Sequence, residues 1–331
     1  MRNLFFVLCI LFLISTTAMA KKPPTMPNSY NGLPLSAKSI AMGNTGAGSV
    51  SRTDNVYFNP AGIAFNTSEQ IQVEILTSVL RDSDLSKNEI NIADPTDLGL
   101  MSIVLMQKFG AISWRTLSSY QIKTSSGNNW YNKQESIKAV TLSVGNVSDN
   151  GSALGMNISY LYGTLSESSV SDLTPYAQTS SGNGVSLDIG ITYPLRDHLV
   201  FGINFENIIG FMWWSDFNNY DQLPFTIKAG TGYYLGGFSL LLDYSRRFYR
   251  FGDLDPNLVS VGAEQYITSF LAVRAGVEGT AISDVSDKEK LKYTYGFGLN
   301  ISILTFNFAA QNYKINSENV AEYLCSLKVN I

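Results

Sequence analysis

Residues 184–207, GVSLDIGITYPLRDHLVFGINFEN, contain two strands and the turn between them. In the first strand Val185, Leu187, Ile189, Ile191 and Tyr193 alternate with Ser186, Asp188, Gly190 and Thr192. In the second, Leu199, Phe201, Ile203 and Phe205 share one face. Strict alternation marks a strand with one apolar side. A run of about nine to eleven residues is also what a tilted strand needs to cross a bilayer. The connector PLRDH is short, so the two strands form an antiparallel hairpin. Asp188 stands in mid-strand, where a soluble sandwich would bury it without water and a barrel lumen would not.

The same pattern recurs outward in both directions. EQIQVEILTSVL (69–80), SALGMNISYLYG (152–163), PFTIKAGTGYY (224–234) and GFSLLLDYS (237–245) alternate in this way. So do SFLAVRAGVE (269–278), LKYTYGFGLNI (291–301), LTFNFAAQNYK (304–314) and AEYLCSLKVNI (321–331). Weaker candidates lie near 100–109, 111–122, 136–147 and 257–266, for a total of about fourteen. The spacers alternate between long (81–99, 123–135, 164–183, 208–223) and short (near Gly110, 148–151, 194–197, 235–236). Bacterial barrels have this rhythm of extracellular loops and periplasmic turns. Lys228, Asp243, Arg274 and Glu278 join Asp188 in mid-strand. The expected fold is therefore all-β, a transmembrane antiparallel barrel of about fourteen strands in the bacterial outer membrane, with membrane lipid around it.

Composition agrees. Only 15% of the 331 residues are charged and the net charge is -4, so nothing calls for nucleic acid. Aromatic residues make up 12%, as interfacial girdles would require. The N-terminus reads as a secretory leader: MRN, the apolar run LFFVLCILFLIS, then TTAMA with an A-x-A pattern ending at Ala20. Cys9 would leave with it, and Cys325 alone cannot form an internal disulfide.

Residues 36–65, SAKSIAMGNTGAGSVSRTDNVYFNPAGIAF, are the most distinctive part of the chain. Their small-residue stretch, Met-Gly, Gly-Ala and Asp before Asn-Pro-Ala resemble the N-terminal signature of the FadL-like outer-membrane transporter superfamily. AMGNTGAG, NPAG and LVSVGAEQYITSFLAVRAGVEG (258–279) also resemble its PorV-type branch. The chain ends in Ile331 rather than the aromatic residue common at barrel C-termini. The resemblance implies a plug inside the lumen over about 21–66, after a leader over 1–20 and before a barrel over 67–331. Asn59 can cap a short helix with Pro60 at its first position, where no N–H is needed. Gly43, Gly46, Gly48 and Gly62 let backbone pass close to lumen side chains.

Catalytic chemistry has little to build on. His198 is the only histidine, beside a short turn, and no Cys/His set suits a metal. No enzyme activity, cofactor or metal is expected. Residues 207–225, NIIGFMWWSDFNNYDQLPF, place Phe211, Trp213 and Trp214 together on an expected extracellular loop. They read either as interfacial girdle or as a capture patch for a hydrophobic ligand. Lys228 and Arg274 point toward the lumen, to pair with lumen carboxylates or with an acidic head group. Two functions follow from the resemblance. One is a transporter of hydrophobic small molecules such as long-chain fatty acids. The other is a PorV-type partner of a secretion system, receiving secreted proteins.

Overall fold

The computed structural model describes residues 25, 30, 36–83, 99–126, 129–171, 174–216, 219–248, 257–280, 291–315 and 318–331, and among these it contains a single antiparallel sheet. The expected leader and most of 21–35 lie outside the described residues. Strands β1 (Gln72–Ser83), β2 (Leu100–Gln107), β3 (Gly110–Ser126), β4 (Asn129–Val147), β5 (Ala153–Ser171), β6 (Thr174–Arg196) and β7 (Leu199–Trp214) pair in chain order. Strands β8 (Asn219–Gln222) and β9 (Phe225–Leu235) both pair with β7, one above the other. The meander continues through β10 (Phe238–Phe248), β11 (Asn257–Tyr266), β12 (Leu271–Thr280), β13 (Lys292–Ile301), β14 (Leu304–Ile315) and β15 (Glu318–Asn330). Strand β15 returns to β1, from Gln72 opposite Asn330 to Ser83 opposite Val320. The result is a closed barrel of fourteen strands, with the short β8 as an addition to its wall.

Alternation sets which side faces out. On β5 the side chains of Leu154, Met156, Ile158 and Tyr160 are exposed, while Ala153, Gly155, Asn157, Ser159 and Leu161 are buried. Ile112, Leu142 and Leu242 continue the apolar outer belt on β3, β4 and β10. A belt of this extent would aggregate in water and is what a bilayer solvates. Exposed aromatics gather near the short turns (Phe109, Tyr193, Phe201, Tyr233, Phe270) and toward the opposite end (Tyr160, Trp213, Tyr244, Phe248, Tyr293). No helix among the described residues is long and apolar enough to cross a membrane. A closed wall of strands with an apolar outer belt is the form in which a β protein can cross a bilayer.

The expected loops are shorter than their spacers suggested. β3 and β4 continue to Ser126 and Asn129, which pair with each other, and β5 and β6 continue to Ser171 and Thr174. Residues 164–183, read as a loop, are therefore largely hairpin. Beyond the bilayer both faces of a strand are polar, as in SESSVS (166–171), so the alternation that reveals a strand disappears while its hydrogen bonds persist.

Before β1 runs a segment with helix α1 (Ala37–Ala41), helix α2 (Asn55–Phe58) and a 3₁₀ turn (Pro60–Phe65). It packs against the buried face of the strands. The Asp243 carboxylate on β10 accepts from the Gly46 and Ala47 amides at 2.7 and 2.8 Å. Gly43 N–H donates to Thr294 Oγ1 at 2.8 Å, and Asn157 Nδ2 donates to the Val56 carbonyl at 2.8 Å. Glu74 accepts from Ser36, Ser326 and Thr53.

This topology is testable on intact cells. An epitope inserted between Ser171 and Thr174 should be reached by antibody, and one at Asp149–Gly151 should not. The purified protein should migrate differently on gels before and after boiling. Reversed labelling would invert the barrel.

Candidate ligand-binding site

Along β3 to β7 the inward face changes character from one end of the barrel to the other. On β5 it runs Asn157, Ser159, then Leu161 and Leu165, all buried. On the antiparallel β4 it runs Ser143, Thr141, then Ala139 and Ile137. Leu117 on β3, Met212 and Trp214 on β7 and Leu223 before β9 join them in one buried apolar cluster, which also includes Tyr30. Trp214 Nε1 and Tyr30 Oη both donate to the Asp221 carboxylate, at 2.9 and 2.7 Å. The outer half of the lumen on this side is therefore filled by a packed apolar cluster whose two amphipathic rings have their polar atoms satisfied.

Beneath this cluster lies a small recess with about 30 Å³ of free volume. Its upper wall is Leu117, Ala139, Leu161 and Leu223, and its floor is Tyr57, Arg115, Asp188 and Glu206. A volume of this size has room for about one or two waters. Tyr57, from α2, carries cations on its ring: Lys228 Nζ lies 3.8 Å and the Arg115 guanidinium 4.9 Å from the centroid. Lys228 pairs with Glu206 at 2.6 Å. Asp188 accepts from Asn157 Nδ2 at 3.0 Å and from the Asn207 amide at 2.8 Å.

A bulge shapes one side of the recess. Between Leu187 and Ile189 of β6, strand β7 advances from Ile209 to Phe205, so Asp188 alone faces residues 206–208. Asn207 takes up the excess with φ 54°, a left-handed conformation that asparagine tolerates. Its Nδ2 donates to the Pro224 carbonyl at 2.9 Å, across the gap between β8 and β9.

No protein-family model and no curated protein sequence matches the chain. Solved structures do. The Ralstonia pickettii toluene transporter TbuX superposes with a TM-score of 0.67 over 91% of this chain and 99% of that one, at 14% identity. The P. putida toluene transporter TodX gives 0.63 with the same coverage at 12% identity. A Pseudomonas aeruginosa FadL homologue gives 0.59, again over 91% and 99%, at 11% identity. The chain has the FadL-like barrel fold.

Within the FadL-like barrel the residues singled out in the sequence do not converge. Phe211 and Trp213 lie on the outer face, 6.2 Å apart between ring centroids, and Trp213 is exposed. Trp214 faces inward and is buried in the apolar cluster. The three sit on the end of strand β7 and not on a loop, so neighbours in sequence point to opposite sides. Lys228 lies against the Tyr57 ring. Arg274, on β12, pairs with Glu264 at 2.6 Å and donates to Asn307 at 3.0 Å. Lys38 of α1 shares the Glu264 carboxylate at 2.7 Å. Asn59 Oδ1 accepts from the Ala61 amide at 3.1 Å, with Pro60 opening the 3₁₀ turn. Asn59 Nδ2 reaches the Ala47 and Ile191 carbonyls and Thr192, each at 3.0 Å. Gly43 has φ 68°, and a Cβ there would lie 2.7 Å from the Val261 carbonyl oxygen. Gly62 sits against Asn55 and the Ser49 carbonyl.

Arg115, Glu206, Leu117, Leu161 and Tyr30 were not picked out from the sequence. The available signal was the inward face itself, where leucine and isoleucine replace serine and threonine on adjacent strands. Wall glycines were a second signal. A Cβ on Gly155, Gly190, Gly202, Gly262 or Gly276 would run into the backbone or side chains of residues 42–61. At Gly110 the nearest atom would be 3.5 Å away, an ordinary contact.

Gly202→Ala should therefore loosen the N-terminal segment while Gly110→Ala should not. Overpacking costs roughly 1–3 kcal/mol, so amide exchange over residues 43–62 should speed up by about five- to a hundredfold in the first variant. Equal exchange in both would show that the glycine contacts do not hold the segment.

Proposed function

We propose that this chain is an outer-membrane channel for small hydrophobic molecules, and that residues 36–66 are its plug. The observation that carries this reading is the apolar inward face of the outer lumen. Leucine, isoleucine, methionine and tryptophan face inward on β3, β4, β5 and β7, where a channel for polar solutes would carry polar groups. The toluene transporters and the FadL homologue that share the fold lend support. A molecule entering from outside would have to part this apolar cluster, above a floor made by the barrel and by Tyr57 of the plug. Passage beyond it would require the plug to shift. The ligand class extends from aromatic hydrocarbons to long-chain fatty acids. The function asked of the protein is binding and conduction, with no reaction.

Transport of labelled toluene and of a labelled long-chain fatty acid into proteoliposomes tests the reading. Wild type should exceed protein-free liposomes for at least one of the two. Burying a large apolar side chain is worth ~1.5–3 kcal/mol, part of it offset by ordering. Leu161→Ala and Trp214→Ala should each weaken binding by about five- to thirtyfold. Trp213→Ala, on the outer face, should leave it within about twofold. No transport by wild type, together with copurification of secreted proteins, would favour the role of a docking barrel for a secretion system.

A further inference from the structure

Tyr30 sits in the apolar cluster as a bound small molecule would. It is 9% exposed and shares the cluster with Leu117, Leu161, Met212 and Trp214. Its hydroxyl donates to Asp221 Oδ2 at 2.7 Å, and Trp214 Nε1 donates to the same oxygen at 2.9 Å. Asp221 belongs to β8, opposite Met212 of β7, and is 1% exposed. The walls and the acceptor thus come from the barrel, while the ring comes from 191 positions before Asp221 in the chain. The Tyr30 backbone is left-handed, with φ 70°, a conformation that is costly for a bulky residue. The ring and the hydroxyl, not local backbone preference, hold this residue in place.

A tyrosine side chain is a para-substituted phenol. When its ring leaves, the space that opens has the size of a phenol, an apolar lining, and a buried carboxylate that has lost one donor. That loss is costly, and a plain hydrocarbon does not make it good. A carboxylate ligand would set a second negative charge against Asp221. A neutral phenol supplies both the apolar ring and the donor. The small recess that Tyr30 also lines leaves room for only a short substituent. We infer that Tyr30 is the built-in occupant of a site for small neutral phenols, and that such a molecule displaces the Tyr30 ring and donates its hydroxyl to Asp221. This rests on the reading of the chain as a channel for hydrophobic molecules and narrows its ligand class. It also accounts for how a filled outer lumen can receive a ligand: one phenol ring is exchanged for another.

Three probes separate the cases: para-cresol, which is the tyrosine side chain as a free molecule, para-methylanisole, which keeps the oxygen without its proton, and toluene. Binding is measured on the full-length protein in detergent at pH 7, with heat-modifiable migration confirming the barrel in every variant. Tyr30→Ala should bind para-cresol at least about tenfold more tightly than wild type, because the competing ring is gone. In that variant para-cresol should bind about tenfold more tightly than toluene or para-methylanisole. Adding Asp221→Asn should reduce this preference to about threefold or less. In wild type, excess para-cresol should speed amide exchange at Tyr30 more than toluene does. This wild-type measurement decides the matter should Tyr30→Ala fail to fold. Equal para-cresol affinity in wild type and Tyr30→Ala would overturn the inference. So would equal binding of para-cresol and toluene by Tyr30→Ala, or exchange at Tyr30 that para-cresol leaves unchanged. The channel reading is judged separately, by transport of toluene and fatty acid, and stands if wild type conducts either while para-cresol fails.

Discussion

Ile71 and Ile331 exchange both backbone hydrogen bonds at 2.9 Å, and from that pair onward β1 and β15 zip the sheet into a cylinder. Lipid offers no partner for an amide or a carbonyl, so a sheet with a free edge cannot stay in a bilayer. Closure satisfies the wall and also divides the side chains into two populations with different solvents. Outward residues can only be apolar or interfacial. Inward residues are free to be charged, and Glu74, Asp188, Lys228, Asp243, Glu264 and Arg274 are all on that side.

The same rule then applies to the chain inside. Residues 36–66 bring their own amides and carbonyls into contact with the wall, and these also need partners. Asp243 takes two amides of the segment, Thr294 takes one, and Asn59 bridges the segment to β6. Close approach is possible because glycine occurs on both surfaces, such as Gly43 of the segment against Gly276 of the wall. Polar anchoring is concentrated around this segment. Above it, on β3 to β7, leucine and isoleucine take over the inward face. Closure makes the interior available, and the choice of inward residue divides it into an anchored zone and an apolar one.

Much of this could be read in the chain. On most strands between lipid and lumen the alternation was plain, as in 184–193 and 291–301, and it was weaker near 100–109 and 257–266. It failed in 164–183, where water lies on both sides and hydrogen bonding alone extends β5 and β6. The site was less accessible. Trp213 and Trp214 are adjacent and both aromatic, yet the pleat sends one outward and the other into the buried apolar cluster. Lys228 was recognised as lumenal, but its partner Glu206 stands beside a bulge that no alternation rule anticipates. Arg115 is surrounded by serine and tryptophan in ISWRTLSS and becomes distinctive only when Tyr57, more than fifty residues earlier, is brought beneath it.

The bulge in β7 connects the wall to the recess. A regular strand at 206–208 would have kept every ladder bond and a smooth inner surface. Here the ladder is interrupted: Pro224 has no N–H to give, and Asn207 Nδ2 reaches its carbonyl in place of a backbone amide. On the other flank the Asn207 amide turns to Asp188, and Ser186 Oγ donates to Asn207 Oδ1 at 2.8 Å. Side chains thus supply the bonds that the interrupted ladder lacks, which a membrane wall requires at every point. In return Glu206 and Asn207 line the recess beside Asp188, and Glu206 meets Lys228 over the Tyr57 ring. A departure from regular pairing, completed by side chains, gives this wall the inward polar corner that a uniform barrel would lack.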